Sequence, residues 1–216
     1  MSVIIVIAKA PTPGRVKTRL CPPCTPEQAA ALAGAALADT LAAVAAAGAD
    51  RRVIVLDGEP GAWLPEGFEV VAQRGRGLDE RLAAAFADAH AHAHAEPALL
   101  VGMDTPQVTA PLLDHGLGRL AEPEVDAVLG GALDGGYWAV GLRRPDARVF
   151  RGVPMSLSRT GEAQRARLRS LGLALAELPE LRDVDDVQDA CAVAREAPGT
   201  RFAAQVAAIL PSARAA

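Results

Sequence analysis

Residues 8–20 read AKAPTPGRVKTRL and directly follow the apolar run Val3–Ala8. A run of this kind, rich in Val and Ile, predicts a strand that is buried on both faces of a parallel sheet. In open α/β sheets, ligands bind beyond the carboxyl ends of the strands, which is where this loop would lie. The loop carries four cations before the first acid of the chain: Lys9, Arg15, Lys17 and Arg19. The stretch therefore predicts an α/β fold with a site for an anion, most simply a di- or triphosphate.

This loop has two alternative interpretations besides phosphate binding. Lys and Arg side chains on a loop are often only solvated, but Pro11, Pro13 and Gly14 stiffen this one and would keep its cations convergent at a small ordering cost. A Walker-type phosphate loop is the nearest motif, but Val16 precedes Lys17 where that motif has Gly. Phosphate binding without the Walker geometry is therefore the favoured interpretation.

The bulk composition limits what kind of protein this chain could be. Its 216 residues suit one α/β domain over residues 1–216, with one well-buried core. A formal net charge of −4 argues against a nucleic-acid-binding surface. No apolar run approaches the roughly 20 residues of a membrane helix, and the N-terminus lacks the basic start and cleavage site of a signal peptide. We expect a cytoplasmic protein that binds neither nucleic acid nor membrane.

The Cys and His residues do not form a recognisable redox or metal motif. Cys21 and Cys24 have a Cys-x-x-Cys spacing, but a redox motif should open a helix, and a zinc site would need a second pair of ligands. Coincidental thiols are the favoured interpretation, and a labile disulfide is the alternative. His90, His92 and His94 lie near a predicted helix end, but no carboxylate accompanies them on one face, so we reject a metal site there.

The pattern after the loop predicts strands that alternate with helices. Thr25 is the expected N-cap of a long helix, with Pro26 at its first position and Gln28 completing a capping box, and the helix should end near Gly48. Further strands are predicted at 52–57, 68–72, 98–102, 126–130 and 173–178. Further helices are predicted around Leu82 and Phe86, at 111–121 and 159–171, and from Arg201. This order predicts three layers, with helices on both faces of a mostly parallel sheet.

Two strand ends carry residues suited to a ligand. Residues 73–82 read QRGRGLDERL, a strand–loop–helix junction where backbone N–H groups can point at a ligand, so Gln73 and Gly75 are candidate nucleotide contacts. The alternative is that the glycines only shape the turn. Asp104 follows the strand 98–102 and is placed to hold Mg²⁺ bound to a phosphate. The alternative role of Asp104 is to cap the turn before Pro106.

Two later segments combine acids with other chemically useful residues. Asp134-Gly135-Gly136 precedes Tyr137 and Trp138, and the coincidence of a carboxylate, a Gly pair and aromatics favours a site over the start of a core strand. Three Asp residues fall within residues 183–186, where they indicate a cation, a helix start or plain solvent exposure. We expect Asp185 to cap the next helix.

Taken together, these segments resemble the DUF2064 family, a bacterial group of glycosyltransferase-like proteins. The resemblance covers about residues 3–190 and is most specific in residues 8–20. It implies the GT-A type fold shared by nucleotide-diphosphosugar transferases and nucleotidyltransferases. It also implies a divalent metal, Mg²⁺ or Mn²⁺, held by Asp104 in a Gly-x-Asp-x-Pro turn with Asp185 as the second acid. The chain departs from the family pattern at Gly77, Asp79, Met155 and Asp186.

The resulting expectation is a metal-dependent transferase that moves a sugar from a nucleotide-diphosphate donor to a small acceptor. Asp134 is the candidate general base or acceptor anchor, and Lys17 would stabilise the departing diphosphate. The candidate binding residues are Ala8, Lys9, Gly14, Arg15, Lys17, Arg19, Gln73, Gly75, Gly135, Gly136, Tyr137 and Trp138. Two alternatives stay open: a nucleotidyltransferase that releases pyrophosphate, and a non-catalytic nucleotide-binding module.

Overall fold

The structure, a computed structural model, describes residues 1–90 and 96–210. Its strands are β1 Val3–Lys9, β2 Arg51–Asp57, β3 Glu69–Ala72, β4 Ala98–Gly102, β5 Ala127–Ala132, β6 Tyr137–Leu142 and β7 Leu175–Leu181. Its α-helices are α1 Pro26–Ala46, α2 Leu78–Ala89, α3 Ala110–Ala121, α4 Thr160–Ser170, α5 Val187–Glu196 and α6 Arg201–Ile209. Short 3-10 helices lie at Thr18–Leu20 and Ala147–Val149.

The seven strands form one sheet in the order β3-β2-β1-β4-β6-β5-β7. Only β6 runs antiparallel to its neighbours, β4 and β5, and the other pairs are parallel. The carboxyl ends of six strands therefore meet the amino end of β6 at one edge of the sheet. This edge gathers the loops that the sequence predicted to be functional.

Helices cover both faces of the sheet, which confirms the predicted layers. On one face, Ile4 and Val6 of β1 belong to a buried cluster that includes Leu37 of α1 and Leu113 of α3. On the other face, the alternate β1 residues belong to a cluster with Leu82 and Phe86 of α2 and Leu168 of α4. β1 is thus buried on both faces, as its apolar run predicts.

Helix α1 begins at the predicted capping box. Thr25 accepts the backbone N–H of Gln28, and the Gln28 side chain accepts the N–H of Thr25.

Among the described residues, α1 is the one helix long and apolar enough to cross a membrane by length and composition. The expectation that no segment reaches this length was wrong, because alanines keep the mean hydropathy high around Asp39. Half of its most apolar window is buried, as in the core helix of a globular fold.

Strand β7 ends three residues later than predicted, and this extension matters for the site. Its pairing with β5 continues past an irregularity between Gly130 and Ala132, so that Ala132 lies opposite Leu181. Pro179 is tolerated there because β7 is an edge strand. The extension brings the acidic segment 183–186 to the same edge of the sheet as the β5–β6 turn.

The three thiols and His90 serve the packing of the protein. Cys21, Cys24 and Cys191 are free thiols that pack in or against one apolar cluster formed with α1, α5 and α6. Burial raises the pKa of the Cys24 thiol, and the neighbouring Cys21 adds to this shift. The ring nitrogens of His90 lie 2.5 and 2.8 Å from backbone carbonyl oxygens. His92 lies outside the described residues, as does the rest of residues 91–95.

Candidate active site

A cleft of about 790 Å³ lies at the carboxyl edge of the sheet. It is within the size range typical of small-molecule sites. Its walls come from segments that are far apart in sequence: 7–9, 15–19, 73–82, 100–105, 134–138, 155–160 and 183–185. The cationic loop (residues 9–19), the turn after β4 that holds Asp104 (the β4 turn) and the turn between β5 and β6 all contribute. The topology therefore brings the predicted site segments together.

Lys17 is the most tightly held cation in the cleft. Its Nζ lies 2.9 Å from Asp104 Oδ1 and 3.8 Å from Asp185 Oδ1, and it also donates to the carbonyl oxygen of Val184. The side chain is only 9% exposed. The Lys17 backbone is in the left-handed region, with φ 48°, which is uncommon for a residue other than Gly. Such strain is kept at functional sites when the surroundings enforce it.

Asp104 and Asp185 were predicted as a pair of metal ligands, and the structure does bring them together. A backbone hydrogen bond of 2.9 Å from Val184 N to Asp104 O ties the β4 turn to the segment after β7. The ammonium of Lys17 contacts a carboxylate oxygen of each residue. In this arrangement Asp104 is the ion-pair partner that fixes Lys17 in the cleft.

A second set of acids forms a cluster that Asp104 does not join. Asp134, Asp183 and Asp185 each offer a carboxylate oxygen, and these oxygens lie within 4.8 Å of one another. Asp134 comes from the β5–β6 turn, where its Oδ1 accepts the N–H of Gly136 at 2.7 Å. Burial, and after it the charges of Asp134 and Asp185, raise the pKa of the Asp183 carboxyl to about 6. Crowded carboxylate oxygens are the donors that Mg²⁺ and Mn²⁺ prefer, so this cluster fits the implied metal.

The cap of helix α5 is Asp186, and the expectation that Asp185 caps it was wrong. Asp186 accepts the backbone N–H groups of Gln188 and Asp189, and Asp189 accepts the N–H of Asp186, which completes a capping box. Segment 183–186 is not helical, so Asp183 and Asp185 alternate toward the cleft while Asp186 turns to the helix. The third Asp therefore has a structural role that leaves Asp185 to the cleft.

We expect Asp186→Ala to lower the free energy of unfolding by about 1 kcal/mol, because two N–H groups lose their acceptor. For a chain of this size the midpoint of thermal unfolding should fall by about 2–4 °C. Thermal denaturation followed by circular dichroism measures the change. Asp186→Asn is the matched control, since its side-chain oxygen preserves the cap, and an equal loss in both variants would contradict the capping role.

The other cations of the loop are exposed. Arg19 Nη1 lies 2.7 Å from Asp185 Oδ2, although its side chain is 72% exposed. Arg15 is 68% exposed, and its Nη2 lies 3.9 Å from Asp57 Oδ1. Lys9 is also exposed and lines the cleft. These three side chains can reorient toward a ligand without breaking the core.

Gln73 lies in the cleft wall, but its amide is already engaged within the fold. Its Nε2 donates to the carbonyl oxygens of Ala8 and Val55, and its Oε1 accepts from Arg81. Gly75 has φ 120°, and a Cβ there would lie 2.9 Å from the backbone nitrogen of Arg81. Both residues therefore hold the ends of β1 and β3 against α2, which supports the alternative that the glycine shapes the turn.

The segment after Asp134 divides between cleft and core. Gly135 has φ 89°, and a Cβ there would lie 1.8 Å from the carbonyl oxygen of Ser158, so this close approach requires Gly. Tyr137 borders the cleft, while its hydroxyl donates to Gln164 Oε1 at 3.3 Å and its burial raises the phenol pKa. Trp138 is only 3% exposed and donates its indole N–H to Pro179 O, so it serves mainly as core.

Two features of the cleft were not predicted. Asp183 was visible in the sequence only as one of three acids, and its place beside Asp134 depends on the pairing of β7 with β5. Residues 155–158 form part of the cleft wall, although this segment stood out in the sequence only because Met155 departs from the family pattern. The other departures lie nearby: Gly77 precedes α2, and Asp79 Oδ2 accepts the N–H of Gly152 at 3.1 Å.

Three solved structures show how the fold compares with known proteins. A candidate nucleotide-diphospho-sugar transferase from Desulfovibrio desulfuricans G20 is 27% identical with a TM-score of 0.89, covering 99% of this chain and 96% of that one. A cytidylyltransferase from Leptospira borgpetersenii is 12% identical with a TM-score of 0.57, covering 98% and 95%. A CMP:2-keto-3-deoxy-manno-octonic acid synthetase complexed with CTP is 13% identical with a TM-score of 0.54, covering 86% and 93%. The predicted nucleotide-diphosphosugar transferase type of fold is confirmed.

The sequence also matches a family model. The family is described as an uncharacterized protein conserved in bacteria, DUF2064, and the match spans residues 28–157. It includes Asp104 and Asp134, begins after the cationic loop and ends before Asp183. No curated protein matches the chain.

Proposed function

Because this chain belongs to the DUF2064 family and carries a shielded ammonium beside a three-carboxylate cluster, we propose that it is a metal-dependent transferase. Its donor would be a nucleotide-diphosphate sugar, and its acceptor a small molecule. The fold shared with the Desulfovibrio protein supports the donor class. The single observation that carries the proposal is that Lys17 and the cluster of Asp134, Asp183 and Asp185 line one cleft.

The side chains divide into two groups by role. Asp134, Asp183 and Asp185 would hold Mg²⁺ or Mn²⁺, and the bound ion would neutralise charge on the diphosphate. Lys17 would contact the same diphosphate, where negative charge grows as the bond to the sugar breaks. Its ion pair with Asp104 fixes the ammonium before the donor arrives, so that little reorganisation is needed. The exposed cations of the loop, including Lys9 and Arg15, would bind the phosphate oxygens.

A second candidate, nucleotidyl transfer, is favoured by a different observation. Among the described residues that line the cleft, the only carboxylates are those of the cluster and Asp104, and none of the lining residues is His. A carboxylate that holds a metal is a poor base, which weakens the predicted general-base role of Asp134. An acceptor that is already ionised, such as a phosphate or carboxylate, needs no base. With a nucleoside triphosphate, the same residues would then support transfer of the nucleotidyl group and release of pyrophosphate.

Product analysis separates these functions. We expect UDP- or GDP-type ligands to stabilise the protein, by about 2.7 kcal/mol for a ligand at 100 times its dissociation constant, and Mn²⁺ to increase the shift. Incubation with nucleotide sugars should then release free nucleoside diphosphate, with water taking the sugar when no acceptor is supplied, whereas pyrophosphate from a nucleoside triphosphate would identify nucleotidyl transfer. Binding without either product would identify a non-catalytic module. Absence of nucleotide binding, with or without metal, would contradict the proposal.

A further inference from the structure

Asp185 has more charged neighbours, both positive and negative, than any other acid of the cleft. Its Oδ2 lies 2.7 Å from Arg19 Nη1, and its Oδ1 lies 3.8 Å from Lys17 Nζ. It also belongs to the cluster with Asp134 and Asp183. Both of its oxygens are thus near cations of the loop, although one of them is also needed to complete the cluster as a metal site.

The two cations differ in how firmly they are held. Lys17 is 9% exposed and has Asp104 and the Val184 carbonyl as additional partners. Arg19 is 72% exposed, and within the described part of the chain Asp185 is its one recorded ion-pair partner. An exposed pair of this kind is worth only about 0–1 kcal/mol. A divalent ion on the cluster would therefore displace Arg19 at small cost, whereas Lys17 would stay.

We propose that Arg19 is a resident counter-ion of Asp185 that yields to the metal and then binds the nucleotide phosphates. This inference rests on the proposed function for its second step. Before the metal binds, Arg19 offsets part of the repulsion within the acidic cluster. Once released, its guanidinium lies beside the site of the diphosphate, with the fork geometry that suits phosphate oxygens. Metal binding thereby prepares the phosphate site, so metal and nucleotide should bind with positive coupling.

The inference predicts effects of opposite sign from one substitution. Arg19→Gln should tighten binding of Mn²⁺ alone by roughly two- to fivefold, because a competing cation is lost. The same variant should weaken binding of UDP or GDP at saturating Mn²⁺ by about tenfold, because hydrogen bonds to a charged group are lost. Arg15→Gln is the matched control: it should also weaken nucleotide binding, but change the Mn²⁺ dissociation constant by less than about 1.5-fold at physiological salt.

Isothermal titration calorimetry of the full chain with Mn²⁺, and then with nucleotide at saturating Mn²⁺, measures both effects. Unchanged or weaker Mn²⁺ binding by Arg19→Gln, or an equal change in Mn²⁺ affinity in the two variants, would overturn the inference. Tighter Mn²⁺ binding with unchanged nucleotide affinity would overturn the transfer of Arg19 to the phosphates. If the wild-type protein binds Mn²⁺ but no nucleotide, the proposed function fails, while the Mn²⁺ titrations still decide whether Arg19 competes with the metal.

Discussion

Replacing Lys17 with Ala should lower kcat/KM for transfer by about 10²–10³-fold, the loss typical when one preorganised charge-stabilising donor is removed. The reason is geometric. The ammonium is fixed 2.9 Å from Asp104 and is shielded from water, so that it is in place before the diphosphate develops its charge. A flexible, solvated cation such as Arg15 would have to be ordered first, and would contribute less.

Lys17→Arg should not restore the activity, because a planar guanidinium cannot occupy the enclosed position of an ammonium that contacts three acceptors. Arg144→Ala is the control for loss of one positive charge, since Arg144 is exposed and lies just after β6 at the opposite edge of the sheet. Steady-state release of nucleoside diphosphate or pyrophosphate measures the rates, and thermal unfolding confirms that the variants are folded. A Lys17→Ala variant with activity within fivefold of wild type would contradict the proposed role of Lys17 in stabilising the diphosphate.

The parts of this site that the sequence predicted are those that follow directly from local pattern. The apolar run of β1 fixes where the cationic loop begins, and the parallel sheet then places that loop beside the turn that holds Asp104. Thr25 and Gln28 mark the start of α1 because a capping box is a local interaction. The convergence of Lys17 with Asp104 required only that both follow neighbouring parallel strands.

The parts that the sequence missed depend on contacts between distant segments. Asp183 joins Asp134 only because β7 pairs with β5 as far as Leu181, and an edge strand with a Pro gives no clear signal of its end. Helix capping by Asp186 rather than Asp185 depends on where the chain turns after that strand. Likewise, the amide of Gln73 is satisfied by backbone carbonyls of neighbouring strands. Such long-range hydrogen bonds leave no periodic trace in sequence.

Asp183→Asn should stabilise the metal-free protein and at the same time abolish its response to Mn²⁺. In the metal-free protein, burial and the charges of Asp134 and Asp185 raise the pKa of Asp183 from 3.8 to about 6. The folded state therefore binds this proton more tightly than the unfolded chain does. The resulting stabilisation is present below about pH 4 and is lost as the pH rises through 6. The shift corresponds to about 3 kcal/mol at pH 7, and solvent screening of this partly exposed group lowers the expected cost of the charge to about 2 kcal/mol, which the neutral Asn avoids.

The midpoint of thermal unfolding at pH 7 should accordingly rise by about 4–8 °C in Asp183→Asn, and the difference from wild type should vanish near pH 4. Addition of Mn²⁺ at 100 times its dissociation constant should stabilise the wild type by about 2.7 kcal/mol and leave the variant unchanged. Glu124→Gln, which removes an exposed acid before β5, controls for the change in net charge. A variant that is less stable than wild type at pH 7 without metal would show that Asp183 is not crowded by its neighbours. A variant that keeps the Mn²⁺ shift would show that Asp183 is not part of the metal site. The two responses have opposite signs because the same carboxylate that repels its neighbours in the empty cluster would be needed as a ligand when the ion binds.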